Sequence, residues 1–356
     1  MIELDVGRPY LSARLTAAAA WAARVGDRPW LPNLSGYLRR SPAVVATHPL
    51  AAGHPPRWAC GWGHDKYGPY ADLAVGRVKQ RFRWCPPGSF QMGSPEGEAG
   101  RYSWEGPQHE VTLSAGYWMA DSPVTQALWL AVTGENPSHF ADPAHLDRPV
   151  EMVDWPQAAR FCALLEERLQ RAGPSDDGLV FRLPTEAEWE YACRAGTQTA
   201  TYAGDLTLRG ENDAPELDAI AWYGGNSGVD YDLAGGTDSS GWPKKQHPHS
   251  KAGTRVVKQK APNAWGLYDT LGNVWEWCAD AVEPLMGYPG GARVDPLGEA
   301  GPLRTFRGGS WFRRAREARA AYRNDLAPSD RRDYLGLRLS RGRMHQTSPV
   351  QSPDSE

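Results

Sequence analysis

The residues best suited to bind a ligand lie between Asn263 and Asp280, in the segment NAWGLYDTLGNVWEWCAD. Asp269 and Glu276 stand on either side of a Gly-Asn turn, with the backbone carbonyls of Gly272 and Val274 between them. Carboxylate and carbonyl oxygens are the hard ligands that Ca²⁺ prefers. A carboxylate between two tryptophans is costly to bury unless it is paired, hydrogen-bonded or bound to a metal. The segment therefore predicts either a calcium site or a Glu276 that caps nearby backbone N–H groups.

The elements that position these ligands are a turn, a short buried strand and three helices. Alternation of apolar and polar residues after the turn predicts the strand. Helices are predicted from Ser122 to Val132, with Ser122 as N-cap and Pro123 at the first position, and from Asp154 to Arg171. A third runs from Pro184 to Ala195, with Thr185 as N-cap and Glu188 completing a capping box.

Two further clusters have the residue types of a reaction centre. Glu186, Glu188 and Glu190 resemble an acidic catalytic cluster, but carboxylates in the first turn of a helix are also favoured by the helix dipole, and we prefer that structural interpretation. His247 and His249 could bind a transition metal, yet two histidines without a third nearby ligand indicate such a site only weakly.

Composition excludes several classes of function. A net charge of −3 gives no electrostatic attraction towards nucleic acid or an anionic membrane, and no apolar run is long enough for a membrane span. The five cysteines, an odd number, are far apart and form no CxxC pair, as expected for reduced thiols in a cytoplasmic protein. The N-terminal stretch lacks the features of a signal peptide. We therefore predict a cytoplasmic protein without nucleic-acid or membrane partners.

Four motifs of the chain resemble the formylglycine-generating-enzyme (sulfatase-modifying factor) family. They are LPTEAEWEYACRAGT (183–197), GLYDTLGNVWEWCAD (266–280), RGGSW (307–311) and LGLRLSR (335–341), within a similarity from Phe82 to Arg341. The resemblance implies an α+β, C-type-lectin-like fold with little regular secondary structure and long ordered loops. It also implies structural calcium at Asp269, Gly272, Val274 and Glu276. A second family calcium site would need an Asn near Asn226 and an Asp where His249 stands, so we do not predict it.

The residues that catalysis in this family would require are missing. Copper-dependent formylglycine generation needs two cysteines shortly after the RGG-S-aromatic motif, because thiolates bind Cu(I). Arg313 and Ala318 occupy the matching positions, so neither copper nor formylglycine generation is expected. The alternative within the family is an oxidative metalloenzyme with a metal site that these motifs do not reveal.

The segment from Gly308 to Arg338 combines regularly placed residues with positions of varied chemistry. It resembles non-catalytic bacterial members of the family and the variable proteins of diversity-generating retroelements, in which this fold displays variable side chains for binding. We interpret Arg316, Arg319, Arg323, Arg331 and Arg338 as structural; the alternative is ordinary surface salt bridges with nearby acids. The predicted ligand-binding face comprises Trp311, Phe312, Arg313, Arg314, Glu317, Tyr322, Asn324, Asp325, Arg332, Asp333 and Tyr334.

The predicted organisation is one main domain with extensions. Residues 1–56 are expected to form a helix and linker, 57–81 a strand-and-turn extension packed on the main domain, 82–341 the main domain, and 342–356 a disordered tail. The leading functional hypothesis is a non-catalytic, Ca²⁺-stabilised scaffold that binds a protein, peptide or small molecule. A further alternative is an accessory module whose first 80 residues dock a partner.

Overall fold

The computed structural model describes residues 58–172, 178–284 and 286–344, and the predictions for 1–56 and 345–356 lie outside these ranges. The described chain forms fifteen short strands and three α-helices joined by long irregular segments. The helices are α1 Gln126–Thr133, α2 Trp155–Ala172 and α3 Glu186–Arg194. The strands are β1 Gly61–Asp65, β2 Gly68–Val75, β3 Val78–Cys85, β4 Gly88–Met92, β5 His109–Leu113, β6 Tyr117–Ala120, β7 Val180–Arg182, β8 Thr237–Asp238, β9 Lys251–Ala252, β10 Trp275–Val282, β11 Arg293–Val294, β12 Leu303–Arg307, β13 Arg323–Leu326, β14 Leu335–Leu337 and β15 Ser340–Gly342. This is the α+β fold with long loops that the motifs implied.

Two sheets carry most of the strands. The larger has the order β1-β2-β3-β6-β15-β7, and all its neighbouring strands are antiparallel. The second has the order β13-β12-β10-β14, with β10 and β14 parallel. Since β14 and β15 are almost continuous in sequence, the last described residues join the two sheets.

The strands before residue 82 belong to the larger sheet. β2 pairs with β3 over six residue pairs, and β3 pairs in turn with β6. The domain boundary predicted at residue 82 thus falls inside β3. The pairing of β3 with β2 continues on both sides of this residue. Residues 58–81 extend the sheet rather than simply packing against the domain.

The three helices occur where predicted, and one begins later than expected. Thr185 accepts a hydrogen bond from the Glu188 N–H at 3.1 Å and the capping box is complete, as predicted. The predicted start of α1 at Ser122 is wrong, because Val124 donates its N–H to the Leu337 carbonyl and stays extended. Thr125 is the actual N-cap.

The core is built largely from tryptophan. Trp118, Trp189, Trp275, Trp277 and Trp311 are all fully buried. On β10, the Trp277 indole N–H donates to the Val153 carbonyl at 3.0 Å, whereas the Trp275 indole nitrogen is buried without a hydrogen-bond partner. Both rings bury a large apolar surface. These rings fix the strand that carries Glu276.

None of the helices in the described part of the chain has the length and apolar character needed to cross a membrane.

Candidate functional site

The predicted calcium segment forms a tight turn that leads into β10. Asp269, Gly272 and Asn273 have φ values of 51°, 79° and 60°, in the left-handed region. At Gly272 a Cβ atom would collide with the Trp222 carbonyl oxygen, so only glycine fits there. The turn brings both predicted carboxylates into the interior.

Glu276 is fully buried and fully partnered. Its carboxylate accepts hydrogen bonds from Arg338 Nη2 at 2.7 Å and Nε at 2.9 Å, and from the Trp189 indole at 2.6 Å. Its partners are therefore side chains from α3 and the residue after β14, not the local backbone N–H groups of the alternative interpretation. The Arg338 charge also offsets part of the attraction that Glu276 would offer a cation.

One carboxylate oxygen of Asp269 has no hydrogen-bond partner. Its Oδ2 accepts from the Lys258 N–H at 2.7 Å, whereas its Oδ1 is buried without a hydrogen-bond partner. Burial raises the pKa of Asp269 to about 6, although the Lys258 N–H opposes the shift. An orphaned buried carboxylate oxygen is the kind of hard donor that Ca²⁺ prefers. The calcium site remains a prediction, for which this oxygen is the structural support.

The residues at the position of the family's second calcium site already have other partners. The Asn226 Oδ1 already accepts from the Tyr223 N–H at 3.0 Å. Burial lowers the pKa of His249 to about 4, and its Nδ1 lies 2.7 Å from Ser239 Oγ. The Lys245 ammonium binds the carbonyls of Ser239 and His249. A protein cation thus takes carbonyl oxygens in this loop, and these residues do not fit a second calcium.

Clusters of three or more His, Cys, Asp or Glu side chains suited to a metal do not occur within residues 58–172, 178–284 and 286–344. The predicted calcium set contains two carboxylates and two carbonyls, so this observation does not test it.

The acidic residues of α3 are structural. Glu188 pairs with Arg182 at 2.7 Å, and the buried Glu190 pairs with Arg194 and Arg307. Glu186 pairs with Arg323 at 2.6 Å. Burial alone would raise the pKa of Glu186, but Arg323 and Arg307 outweigh it and the pKa is lowered. The carboxylates are occupied by arginines, so they do not form a free catalytic cluster.

The regularly placed arginines are also structural, and their partners are remote in sequence. Arg316 donates to the Gly100 carbonyl at 2.8 Å, and Arg331 pairs with Asp154 at 2.8 Å. Arg319 is buried against Glu98 and Glu105, with a distance of 2.8 Å from Nη1 to Glu105 Oε2. The Arg316 and Arg319 interactions hold the 312–319 segment against the loop at 98–105, and the alternative of ordinary surface pairs within the segment does not describe them. The Arg331 side chain is 49% exposed, and its pair with Asp154 lies nearer the surface.

These arginine interactions bring part of the predicted ligand-binding face together. The Phe312 and Tyr334 rings lie 5.3 Å apart, and the Arg313 guanidinium lies over both, at 4.9 and 5.0 Å. Phe312 is 38% exposed, which is high for so large an apolar side chain. Arg314 and Arg332 are at the surface, paired with Glu211 and Asp330 respectively.

Other predicted members lie elsewhere or are covered. Trp311, Tyr322 and Glu317 are buried, so their side chains support the surface rather than form it. Asn324 and Asp325 lie on β13, at the opposite edge of the four-stranded sheet from β14, which Tyr334 precedes. Asp333 is half-buried, and its carbonyl accepts from the Trp311 indole at 3.1 Å. The exposed face is therefore smaller than predicted.

Sequence reasoning missed Trp242, which completes this face. Its ring stacks on Trp311 at 5.9 Å and meets Phe312 at 5.8 Å. Trp242 lies in a long Gly/Asp/Ser-rich stretch without hydrophobic periodicity, so only an isolated tryptophan among polar residues could have indicated it. We call Trp242, Phe312, Arg313 and Tyr334 the aromatic face.

Glu151 is a second residue that sequence reasoning missed. It is buried and accepts hydrogen bonds from the N–H groups of His139 (3.0 Å) and Phe140 (2.9 Å). Burial raises its pKa to about 8, and nearby Asp333 adds to the shift. Phe140 packs edge-on against Trp311 at 5.2 Å, which places the carboxyl group beneath the aromatic face.

Glu151 predicts a pH dependence of stability. A carboxyl group with a raised pKa in the folded state stabilises the fold when protonated, and this stabilisation is lost as pH rises from about 4.5 through about 8. We expect Glu151→Gln to reduce the loss of unfolding free energy between pH 5 and pH 8 by on the order of 2 kcal/mol, measured by urea unfolding. Equal losses for both proteins would contradict the buried, protonated state.

Comparison with known proteins identifies relatives over most of this structure. The profile of the sulfatase-modifying factor enzyme 1-like domain matches residues 76–343. The chain is 28% identical over 258 residues to the chaperone protein LppX of Paenibacillus barcinonensis, covering 65% of this chain and 82% of that protein. It is 33% identical over 207 residues to the formylglycine-generating enzyme of Thermomonospora curvata, covering 57% and 55%. The match thus spans about half the length of that enzyme.

An inactive relative and two solved structures are also similar. The inactive C-alpha-formylglycine-generating enzyme 2 of Mus musculus is 28% identical over 240 residues, covering 65% of this chain and 60% of the relative. The Treponema denticola variable protein 1 aligns with a TM-score of 0.59 at 32% identity, covering 76% of this chain and 98% of that one. PvdO from Pseudomonas aeruginosa aligns with a TM-score of 0.55 at 25% identity and the same coverage.

Proposed function

Because this chain belongs to the family of the sulfatase-modifying factor enzyme 1-like domain, and because Arg313 and Ala318 stand where catalysis would need cysteines, we propose that it is a non-catalytic binding scaffold. Its ligand is a protein, peptide or small molecule that contacts the aromatic face. The similarity to an inactive relative and to a variable protein supports a role of this kind.

The observation that carries the proposal is the contrast between the buried arginine ion pairs and the partly exposed aromatic face. Arg319, Arg323 and Arg338 are buried in ion pairs that hold the backbone. Phe312, Arg313 and Tyr334 belong to the same segment and remain partly exposed. A rigid support that presents rings and a guanidinium to solvent suits recognition, since little side-chain entropy is lost on binding.

A double variant on the aromatic face tests the proposal. We expect Phe312→Ala/Tyr334→Ala to weaken binding to ligands found on peptide and glycan arrays about tenfold or more, since exposed aromatic residues often dominate binding energy. The matched control is Trp62→Ala, because Trp62 is 39% exposed and lies on β1. Equal binding by the double variant and the native protein would contradict the proposal.

Elemental analysis separates binding from the oxidative alternative. A binding scaffold should purify with calcium and without stoichiometric copper or iron. The enzyme would be favoured instead if the protein contained about one equivalent of copper or iron, and if removing this metal also removed an oxygen-dependent activity on a thiol peptide.

A further inference from the structure

The Arg313 guanidinium has unusually few protein acceptors. Its Nη2 donates one long hydrogen bond, of 3.5 Å, to the Tyr334 hydroxyl. The Glu317 carboxylate lies 3.7 Å from Nε, beyond hydrogen-bond distance, and Nε is buried without a partner. Because a guanidinium carries five N–H donors, most of those of Arg313 have no acceptor among the described residues.

This situation is exceptional in its segment. Arg316 and Arg319, three and six residues later, are bound to carbonyls and carboxylates. Arg314, the adjacent residue, lies 3.0 Å from Glu211. The chain therefore supplies closer acceptors to the neighbouring arginines. Arg313 forms a longer ion pair with Glu317, at 3.7 Å, and most of its N–H donors have no acceptor among the described residues.

The aromatic rings hold this charge in place. The guanidinium lies over the Phe312 and Tyr334 rings, an arrangement that fixes its orientation through cation–π attraction. Trp242 borders Phe312 on the other side. The rings also exclude water from one face of the guanidinium, which strengthens its interaction with an anion.

We propose, as an extension of the binding function above, that the aromatic face recognises an acidic peptide. A carboxylate of the peptide pairs with the unused donors of Arg313, in the two-bond geometry typical of arginine and carboxylate. An apolar side chain next to that carboxylate packs on Trp242 and Phe312. Arg314 and Arg332 lie 3.0 Å from their acids, whereas Arg313 lies 3.7 Å from Glu317. Arg313 therefore offers its unused donors to one carboxylate, rather than a run of unpaired cations to a polyphosphate backbone.

A peptide array with paired acidic and amide sequences tests this proposal. Each ten-residue peptide containing Asp or Glu is synthesised beside its Asn or Gln counterpart, and bound native protein is measured. We expect the native protein to prefer the acidic member of its best pairs at least tenfold and to lose this preference in high salt. Arg313→Gln should abolish the preference, and Trp242→Ala should weaken both members equally.

Controls distinguish the possible failures. Arg160→Gln removes an exposed arginine on α2 and should retain the preference, while Arg313→Lys should retain part of it because the charge remains. Binding of peptides without preference for acid would overturn this inference and leave the binding function standing. The acidic-peptide assignment would be overturned if the native protein bound no peptide. It would also be overturned if the native protein formed a dimer in solution and Arg313→Gln dispersed it.

Discussion

Replacing Arg319 with methionine should lower the free energy of unfolding by about 3–5 kcal/mol. The guanidinium is fully buried and binds the carboxylates of Glu98 and Glu105, which are also buried. Methionine fills a similar volume without charge, so both carboxylates would remain in the interior without their cation. Removing one partner of a buried ion pair is more destabilising than never having had the pair, because the remaining charge cannot be solvated. Urea unfolding at neutral pH measures the difference.

The matched control for this prediction is Arg160→Met. Arg160 also pairs with a glutamate, Glu167, but its side chain is 57% exposed and that of Glu167 is 42% exposed. Water can solvate the partner after the change, so the expected loss is below about 1 kcal/mol. Similar losses for the two variants would show that the Glu98 and Glu105 carboxylates regain water, and would contradict the role of Arg319 as an internal support of the aromatic face.

Features determined by neighbouring residues could be read from the sequence. The cap of α3 depends on Thr185 and Glu188, which are three residues apart, and both took the predicted roles. The start of α1 could not be read in this way. Ser122 and Pro123 favour an N-terminus locally, but the hydrogen bond from Val124 to the Leu337 carbonyl connects residues more than 200 positions apart. Tertiary pairing overrode local preference.

The same distinction applies to the candidate site. The motif at 266–280 predicted Glu276 as a buried carboxylate that binds a ligand. Its partner Arg338 lies 62 residues later, and no local pattern connects the two. The aromatic face was partly predictable, because Phe312, Arg313 and Tyr334 flank regularly placed residues. Trp242 joins it from a segment about 70 residues earlier, and only the folded loop reveals the contact.

The structure also changes how the calcium prediction must be tested. Substituting Glu276 would leave Arg338 unpaired in the interior, so the protein would lose stability with or without calcium. A lower melting temperature in that variant therefore carries no information on the metal. Asp269 is the better position, because its orphaned Oδ1 is what a cation would bind.

Asp269→Ala should abolish calcium-dependent stabilisation while changing the calcium-free protein little. In chelator, the variant loses one hydrogen bond from the Lys258 N–H, worth about 1 kcal/mol, and also loses a buried charge that opposes folding. In calcium at 100 times its dissociation constant, the native protein should gain about 2.7 kcal/mol. Melting curves with and without chelator measure both quantities.

Asp238→Ala provides the matched control, because Asp238 accepts one backbone N–H, from Ser240 at 2.8 Å, but is exposed on β8. It loses the same kind of hydrogen bond as Asp269→Ala and should keep the full calcium response. An unchanged response in Asp269→Ala would exclude Asp269 as a ligand. An absent response in the native protein would remove calcium from the scaffold altogether, and the buried Asp269 carboxylate would then be a cost to folding that the Arg338–Glu276 pair and the surrounding tryptophan core must offset.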